Sequence, residues 1–417
     1  MLLCRTHDCS SAETGKQENG EEEHKGIDQL FEEYMRVAID MLLAEQKPGG
    51  MLLATRSVLN GLAQIDQKND YFIISRRPEE YQALASHPHI HLYPIQVRSW
   101  RAMLIRHQLL MSGVLREIHP DILHTPAFAA PLSWRGPLVL TVHDLAFLKV
   151  KNQSSLQAQL YWRYMLRESV RRAQRIIVVS EQTREELISY WLVKPERIRV
   201  IHNTLRPSLR YADIADEEIL AMRKRYGEHY LLHVGRIMPR KNVEMLVQAF
   251  DLLAAHFHDL HLVLTGGTGF GSEEAVRQIE SSPYRERIHL AGWVSEEDLG
   301  PLYAAASILV FPSKHEGFGL PIVEAMACGT PVVASPEAAS VSICGDAVVR
   351  ANCAEAQPLA NAIRQVLTDQ ELRERLIQVG RKQAQPFTNI QVSAAATLQT
   401  YQEVIGINEP GPRYTLH

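Results

Sequence analysis

No stretch of the sequence approaches the roughly 18 consecutive apolar residues of a membrane-spanning helix. The opening Met1-Leu2-Leu3 meets Arg5 and Asp8 too soon for a secretory signal. Cysteine is scarce: Cys4, Cys9, Cys328, Cys344 and Cys353 fall at irregular spacings, with no CxxC pair to hold zinc and no dense framework like those that staple small secreted domains. Cys4, His7 and Cys9 could be imagined as metal ligands, but three candidates in a polar tail are outweighed by the plainer reading, and no metal site is assigned. There is also no Asp-x-Asp pair, no short internal repeat and no low-complexity tract beyond the N-terminus. These absences argue against a membrane-spanning helix, a disulfide scaffold and an array of short repeats. They leave the expectation of a cytoplasmic protein, at most peripheral at the inner face of the membrane.

What is present points to two domains. A chain of 417 residues with 46% apolar content exceeds what one core usually organises and can fill two. The formal net charge of −4 hides an uneven distribution. Residues 1–34 carry 3 basic and 9 acidic side chains, residues 35–205 carry 22 and 14, and residues 206–417 carry 19 and 25. The first segment, with its run Glu21-Glu22-Glu23, has too little apolar surface to offset chain entropy and is expected to be a disordered extension, dispensable for folding. Apolar runs at residues 36–40, 71–75, 122–124, 138–142 and 176–180 then alternate with helical patterns. The alternation restarts after a linker-like stretch at 203–210, with strands expected near 230–234, 261–265, 288–290, 308–311 and 331–334. This predicts two successive α/β domains of Rossmann type, at 35–205 and 206–388, each with a parallel sheet covered on both faces. Residues 389–406 read as a helix returning to the first domain, and 407–417 as a tail.

The densest signal runs from Pro312 to Pro331. A strand ends, a loop with Gly317 and Gly319 turns, and a short helix opens near Pro321, which suits a first helical turn because its missing N–H would be unpaired there anyway. Unpaired N–H groups at a helix start attract phosphate, and glycines let backbone approach a ligand closely. Glu316 in the loop and Glu324 in the helix could both accept from hydroxyl groups of one bound molecule; alternatively Glu324 complements the helix and Glu316 is a solvated loop charge. Arg236 and Lys241 lie between an expected strand and helix, where two cations could hold a diphosphate, Arg as a planar fork and Lys as a point charge. His143 ends an apolar strand, a position that is either a ligand contact or a core cap, and Asp144 beside it either orients it or makes a structural hydrogen bond.

These residues resemble the retaining glycosyltransferases of family 4. The marks are Gly235-Arg236…Lys241-Asn242, Gly292-Trp293-Val294, Phe311-Pro312-Ser313, and the E-x7-E pair Glu316 and Glu324 within EGFGLPIVEAMACGTPVVAS. The likeness extends less sharply over about residues 35–405 through Val142-His143-Asp144 and Val179-Ser180-Glu181. It implies the α/β GT-B fold, two Rossmann-like domains facing each other across a cleft. It implies further that Arg236 and Lys241 hold the donor diphosphate, Glu324 the ribose, and Glu316 with the backbone at Phe318, Gly319 and Leu320 the donor sugar. His143 would sit beside the transferred sugar, the backbone of Trp293 and Val294 would meet the base, and Gly50 would let the first domain approach the phosphates. The expected reaction is metal-independent transfer of a hexose, mannose first, from a nucleotide-diphosphate sugar such as GDP-mannose, with no cofactor, to a glycan, lipid-linked or small-molecule acceptor.

Two rivals remain at this level. The run from Thr265 to Gly271 resembles the glycine loop of a nicotinamide-dependent epimerase or oxidoreductase, though it is one residue short and sits mid-chain; a turn is the alternative. A catalytically silent sugar-nucleotide-binding scaffold is the other. Arg163, Arg167, Arg171, Arg172 and Arg175, with Trp162, and Arg98, Arg101 and Arg106 with Trp100, form basic-aromatic stretches that read either as solvated faces or as contacts for an anionic membrane. Nothing points to nucleic acid.

Overall fold

The computed structural model describes residues 34–46, 49–96, 100–150, 155–206, 209 and 214–406. The Cys4, His7 and Cys9 group, the N-terminal extension, Lys47, Pro48, Arg98 and the 407–417 tail lie outside the described residues, as do the side chains of Trp100, Arg101 and Arg106. Residues from Met35 onward form one compact unit.

That unit contains two sheets in which every strand pairing is parallel. The first holds β1 (Arg36–Asp40), β2 (Asp70–Ser75), β3 (Ile90–Pro94), β4 (Ile122–Thr125), β5 (Leu138–Val142), β6 (Arg175–Val178) and β7 (Ile198–Val200), in the order β3-β2-β1-β4-β5-β6-β7. The second holds β8 (His229–His233), β9 (Leu260–Thr265), β10 (Ile288–Gly292), β11 (Ile308–Phe311), β12 (Val332–Ala334) and β13 (Val348–Arg350), in the order β10-β9-β8-β11-β12-β13. Parallel strands need crossover connections, and the helices that supply them cover both faces, so central strands such as β5 and β11 are buried along their whole length.

The apolar run at 176–180 is shorter as a strand than its composition suggests. β6 stops at Val178, and Ser180 instead caps the helix Glu181–Trp191, its hydroxyl accepting from the Thr183 amide. The last helix, Ile390–Ile405, packs along the helix Gly50–Ile65 beneath the first sheet. Gly61 permits the approach: a β-carbon there would lie 2.7 Å from the Ile390 carbonyl oxygen. Tyr401 and Glu403 fasten the helix, Tyr401 Oη at 2.7 Å from His124 Nδ1 and Glu403 at 3.0 Å from Arg175 and 2.7 Å from Arg199. Among the described residues no helix is long and apolar enough to cross a membrane.

Strand order reverses between β1 and β4 in the first sheet and between β8 and β11 in the second. Connections leave such a point in opposite directions and open a crevice beyond the carboxyl ends of the strands, the place where ligands bind in open α/β sheets. The loops after β1, β4 and β5 and those after β8 and β11 meet there.

Candidate functional site

The meeting loops enclose a cleft of about 540 Å³. His143, Arg236, Lys241, Glu316, Gly50, Trp293, Val294, Phe318, Gly319, Leu320 and Glu324 all line it. Residues separated by up to 274 positions are thus brought to one surface, and none of the sequence-derived candidates lies elsewhere.

The second sheet supplies the charge. β8 runs into a loop in which Gly235 has φ 143°, a conformation open to glycine, and a β-carbon there would stand 3.2 Å from Lys241 Cε. Lys241 ends a short 3-10 turn, Pro239–Lys241, and Asn242 follows in the left-handed region, its side-chain amide donating to the carbonyls of Pro312 and Cys353. These bonds tie the β8 loop to the segments that follow β11 and β13. The Lys241 ammonium is buried, 4.5 Å above the centre of the Phe311 ring and 2.9 Å from Glu316 Oε1. Arg240 pairs with the same Glu316 oxygen. Burial opposes ionisation of Glu316, but the two cations overcome it and hold its carboxyl at about 2. Burial lowers Lys241 from its ordinary value, with Glu316 opposing that effect. Arg236 lies in the same wall and donates to the Thr268 carbonyl at 3.2 Å.

Gly319 begins the helix Leu320–Ala327 with φ 97°, and Pro321 sits in its first turn. Glu324 is buried one turn on. Its Oε2 accepts from Tyr303 Oη at 2.7 Å, and its Oε1 lies 3.4 Å from Arg206 Nη2. Arg206, in the stretch joining the two sheets, also reaches Glu296 at 3.3 Å.

The first sheet supplies His143 and Asp144 beyond β5. Burial pushes the His143 ring down to about 4, although Asp144 and a hydrogen bond to the Pro126 carbonyl pull the other way. The ring is therefore neutral near pH 7, with Nε2 lacking a hydrogen-bond partner among the described residues. Asp144 Oδ1 accepts from the Ala146 amide, the structural bond that its position allowed, and the residue also lines the cleft.

His124 and His233 behave like His143, burial holding them down at about 3 and about 4. All three folded values lie below the unfolded value near 6.5, so the unfolded chain binds more protons once the pH falls below that value. The stability contribution is present above about pH 6.5 and is lost as pH falls towards 4, by roughly 2 kcal/mol per fully buried ring at pH 5. Thermal melting should therefore fall between pH 7.5 and pH 5, and His124→Gln should flatten the dependence; an unchanged slope would contradict the assignment.

Sequence reasoning missed Arg240, Arg206 and Tyr303. Arg240 stood beside Lys241 and its charge was the available signal; Arg206 and Tyr303 reach Glu324 from distant segments and left none. Of the basic stretch around Trp162, Arg171 pairs with Glu168, Arg172 donates to the carbonyls of Pro131 and Trp134, and Arg175 pairs with Glu403. Arg163 and Arg167 are exposed, and Trp162 lines the cleft. The glycine run after β9 is a turn: Gly266 donates to Gly292 and Gly269 to Ile237, and a helix begins only at Glu273. Among the described residues no group of three or more His, Cys, Asp or Glu is placed to hold a metal.

Comparison with known proteins agrees with this geometry. The family described as glycosyl transferases group 1 matches residues 216–383, and that described as glycosyltransferase family 4 matches residues 48–209. O-antigen chain mannosyltransferase B of Escherichia coli is 30% identical over 336 residues, covering 80% of this chain and 85% of that protein. Among solved structures, sucrose-phosphate synthase of Thermosynechococcus elongatus superimposes with TM-score 0.73 at 22% identity, covering 89% of this chain and 99% of that one. The Anabaena protein HepE, solved with UDP and glucose, gives 0.70 at 21%, covering 88% and 100%.

Proposed function

The chain belongs to the glycosyl transferases group 1 family and is a glycosyltransferase of GT-B fold; we propose that it moves a hexose, mannose first, from a nucleotide-diphosphate sugar to a glycan, lipid-linked or small-molecule acceptor. The observation that carries this reading is the convergence of Lys241, Arg236, Arg240 and the start of the helix Leu320–Ala327 on one cleft. Fixed positive charge gathered there suits a diphosphate and stabilises it as it departs. Glu324, held by Tyr303, offers a carboxylate to the ribose hydroxyls. Glu316 and the backbone at Phe318, Gly319 and Leu320 take the sugar, Trp293 and Val294 meet the base, and Gly50 allows close approach from the first sheet.

In the reaction the acceptor hydroxyl attacks the anomeric carbon from the face that the diphosphate leaves, its proton passes to the departing phosphate oxygen, and configuration is retained. Protein cations meet the developing charge, so the proposal includes independence from a divalent metal. Mannose is the first choice because the Escherichia coli relative is named a mannosyltransferase of O-antigen chains, a name that also supports a role in polysaccharide biosynthesis. UDP-glucose is the second donor to try, since HepE was solved with UDP and glucose. The alternative of a nicotinamide enzyme is not favoured, because the relatives are glycosyltransferases and the backbone of the glycine run is engaged in turn bonds from Gly266 to Gly292 and from Gly269 to Ile237.

The test is calorimetric titration with GDP-mannose, UDP-glucose and ADP-glucose in the presence of EDTA, followed by product analysis. Binding of one of them with EDTA present is the expected result. If no nucleotide sugar binds, the reading fails; if binding requires added metal, the metal-independent part fails.

A further inference from the structure

Two of the cations that line the cleft already have an anion of their own. Arg240 and Lys241 both pair with Oε1 of Glu316, Lys241 at 2.9 Å, and Lys241 and Glu316 are buried. The three groups are held where they stand. The Arg240 carbonyl accepts from the Lys314 amide at 2.7 Å, which joins the β8 loop to the loop that carries Glu316. The backbone of Glu316 is pinned on its other side by a bridge to Ala338, its amide donating to the Glu337 carbonyl and its carbonyl accepting from the Ala339 amide, each at 3.4 Å. Asp144, beyond β5, adds a second negative charge that acts on Arg240 and Lys241. A phosphate entering this part of the cleft must therefore share the two cations with a carboxylate that stays ionised near pH 7 and has little freedom to withdraw. Like charges held close together repel, most strongly where burial limits screening.

We infer that Glu316 is a built-in counter-anion that decides which phosphate ligands the cleft keeps, disfavouring a free nucleoside diphosphate relative to one that carries a sugar. This deepens the donor reading and rests on it. The two ligands differ in charge and in hydrogen bonding. In a nucleotide sugar each phosphate of the diphosphate is esterified and singly charged. An ionised carboxylate has about four acceptor positions, so the sugar hydroxyls can donate to Glu316 beside the two cations, and these bonds offset the repulsion. Once the sugar is transferred, the terminal phosphate has a further ionisable proton, lost with a pKa of about 6, and the hydroxyl donors are gone. The product then meets the carboxylate with more charge and with no compensating bond. Glu316 thus acts after the transfer as well as before it, hastening departure of the nucleoside diphosphate, and product release is a step that limits turnover in many enzymes.

Inorganic pyrophosphate is the first probe, because it needs neither base nor sugar. GDP, UDP, GDP-mannose and UDP-glucose follow, all titrated calorimetrically against the full-length protein at about pH 8 with EDTA present, where the terminal phosphate is fully ionised. Glu316→Gln keeps the shape of the side chain and removes its charge, so pyrophosphate should bind this variant at least about tenfold more tightly than the original protein. The nucleoside diphosphate that binds should tighten by a similar factor and its sugar-bearing form by less than about threefold, so that the ratio between them shifts. Glu316→Asp keeps the charge but draws it back from the cations, and pyrophosphate should gain about threefold there; this variant carries the test alone if Glu316→Gln does not fold. Pyrophosphate affinity unchanged or weakened in the folded variants would overturn the inference. So would a nucleoside diphosphate and its nucleotide sugar that move by equal factors. Failure of the donor reading looks different: pyrophosphate responds as expected while no nucleotide binds with or without its sugar, which removes that reading and the discrimination built on it and leaves only the competition of charges.

Discussion

Lys241→Ala is expected to lower turnover by roughly 10²–10³-fold, the cost of losing one preorganised charge at a centre where charge develops, about 3–4 kcal/mol. The size of the effect follows from how the ammonium is held. It is buried, stands over the Phe311 ring, is crowded by the β8 loop at Gly235 and lies 2.9 Å from Glu316. A charge fixed in this way needs no reorganisation when the diphosphate departs, and water entering the space left by alanine would have to reorganise. The substitution also leaves Glu316 buried with one cation fewer, but Arg240 still pairs with it. The Glu316 carboxyl should remain ionised, and the loss of stability should stay well below the roughly 3–5 kcal/mol of an orphaned buried charge. Melting temperature and nucleotide affinity measured beside turnover separate the two effects. A folded variant that transfers sugar at the original rate would remove Lys241 from the diphosphate site.

How much of this was legible in the sequence depended on burial. The central strands β1, β4, β5, β8 and β11 lie between layers of helices and therefore read as apolar runs. Three strands had no such signature: Ile90–Pro94, Ile198–Val200 and Val348–Arg350. All three are edge strands, paired on one side only, and their sequences IHLYP, IRV and VVR are short or mixed with polar residues. An edge strand needs fewer buried side chains, so periodicity has little to act on.

The site divides in the same way. Gly317, Gly319, Pro321, Glu316 and Glu324 fall within a single strand-loop-helix passage, so local spacing revealed them together. Arg236 and Lys241 share another such passage. Phe128, Phe147 and Trp162 come from three separate segments, and nothing in their spacing announces that the rings meet along the cleft. Arg206 reaches Glu324 only because the connection between the two sheets returns past the helix Leu320–Ala327. Contacts of this sort belong to the tertiary fold and are invisible until the crossovers are traced.

Gly317→Ala should abolish most activity for a reason different from that of Lys241→Ala. Gly317 has no positive φ, so alanine is acceptable to its own backbone. The obstacle is the opposite side of the cleft: an added β-carbon would lie 1.7 Å from the His143 carbonyl oxygen and 2.8 Å from Asp144 Cβ. Backbone cannot yield as a side-chain tip can, so the loop after β11 and the end of β5 must move apart. The neighbouring contacts across the cleft would move with them, including Thr183 Oγ1 to the Gly317 carbonyl at 3.5 Å and the approach of His315 to Glu186 at 3.5 Å. Each sheet keeps its own core, so folding and nucleotide affinity should be nearly retained. Groups on opposite sides would be displaced by an ångström or more, and misplacement on that scale costs on the order of 10²-fold in rate. Gly113→Ala, in the helix Trp100–Ile118 with nothing within 4 Å of the added carbon, serves as the control. Turnover, melting temperature and nucleotide affinity should single out Gly317→Ala as the variant that binds donor and does not transfer it. Original turnover in that variant would mean that the close approach of the two sheets is not part of the catalytic state.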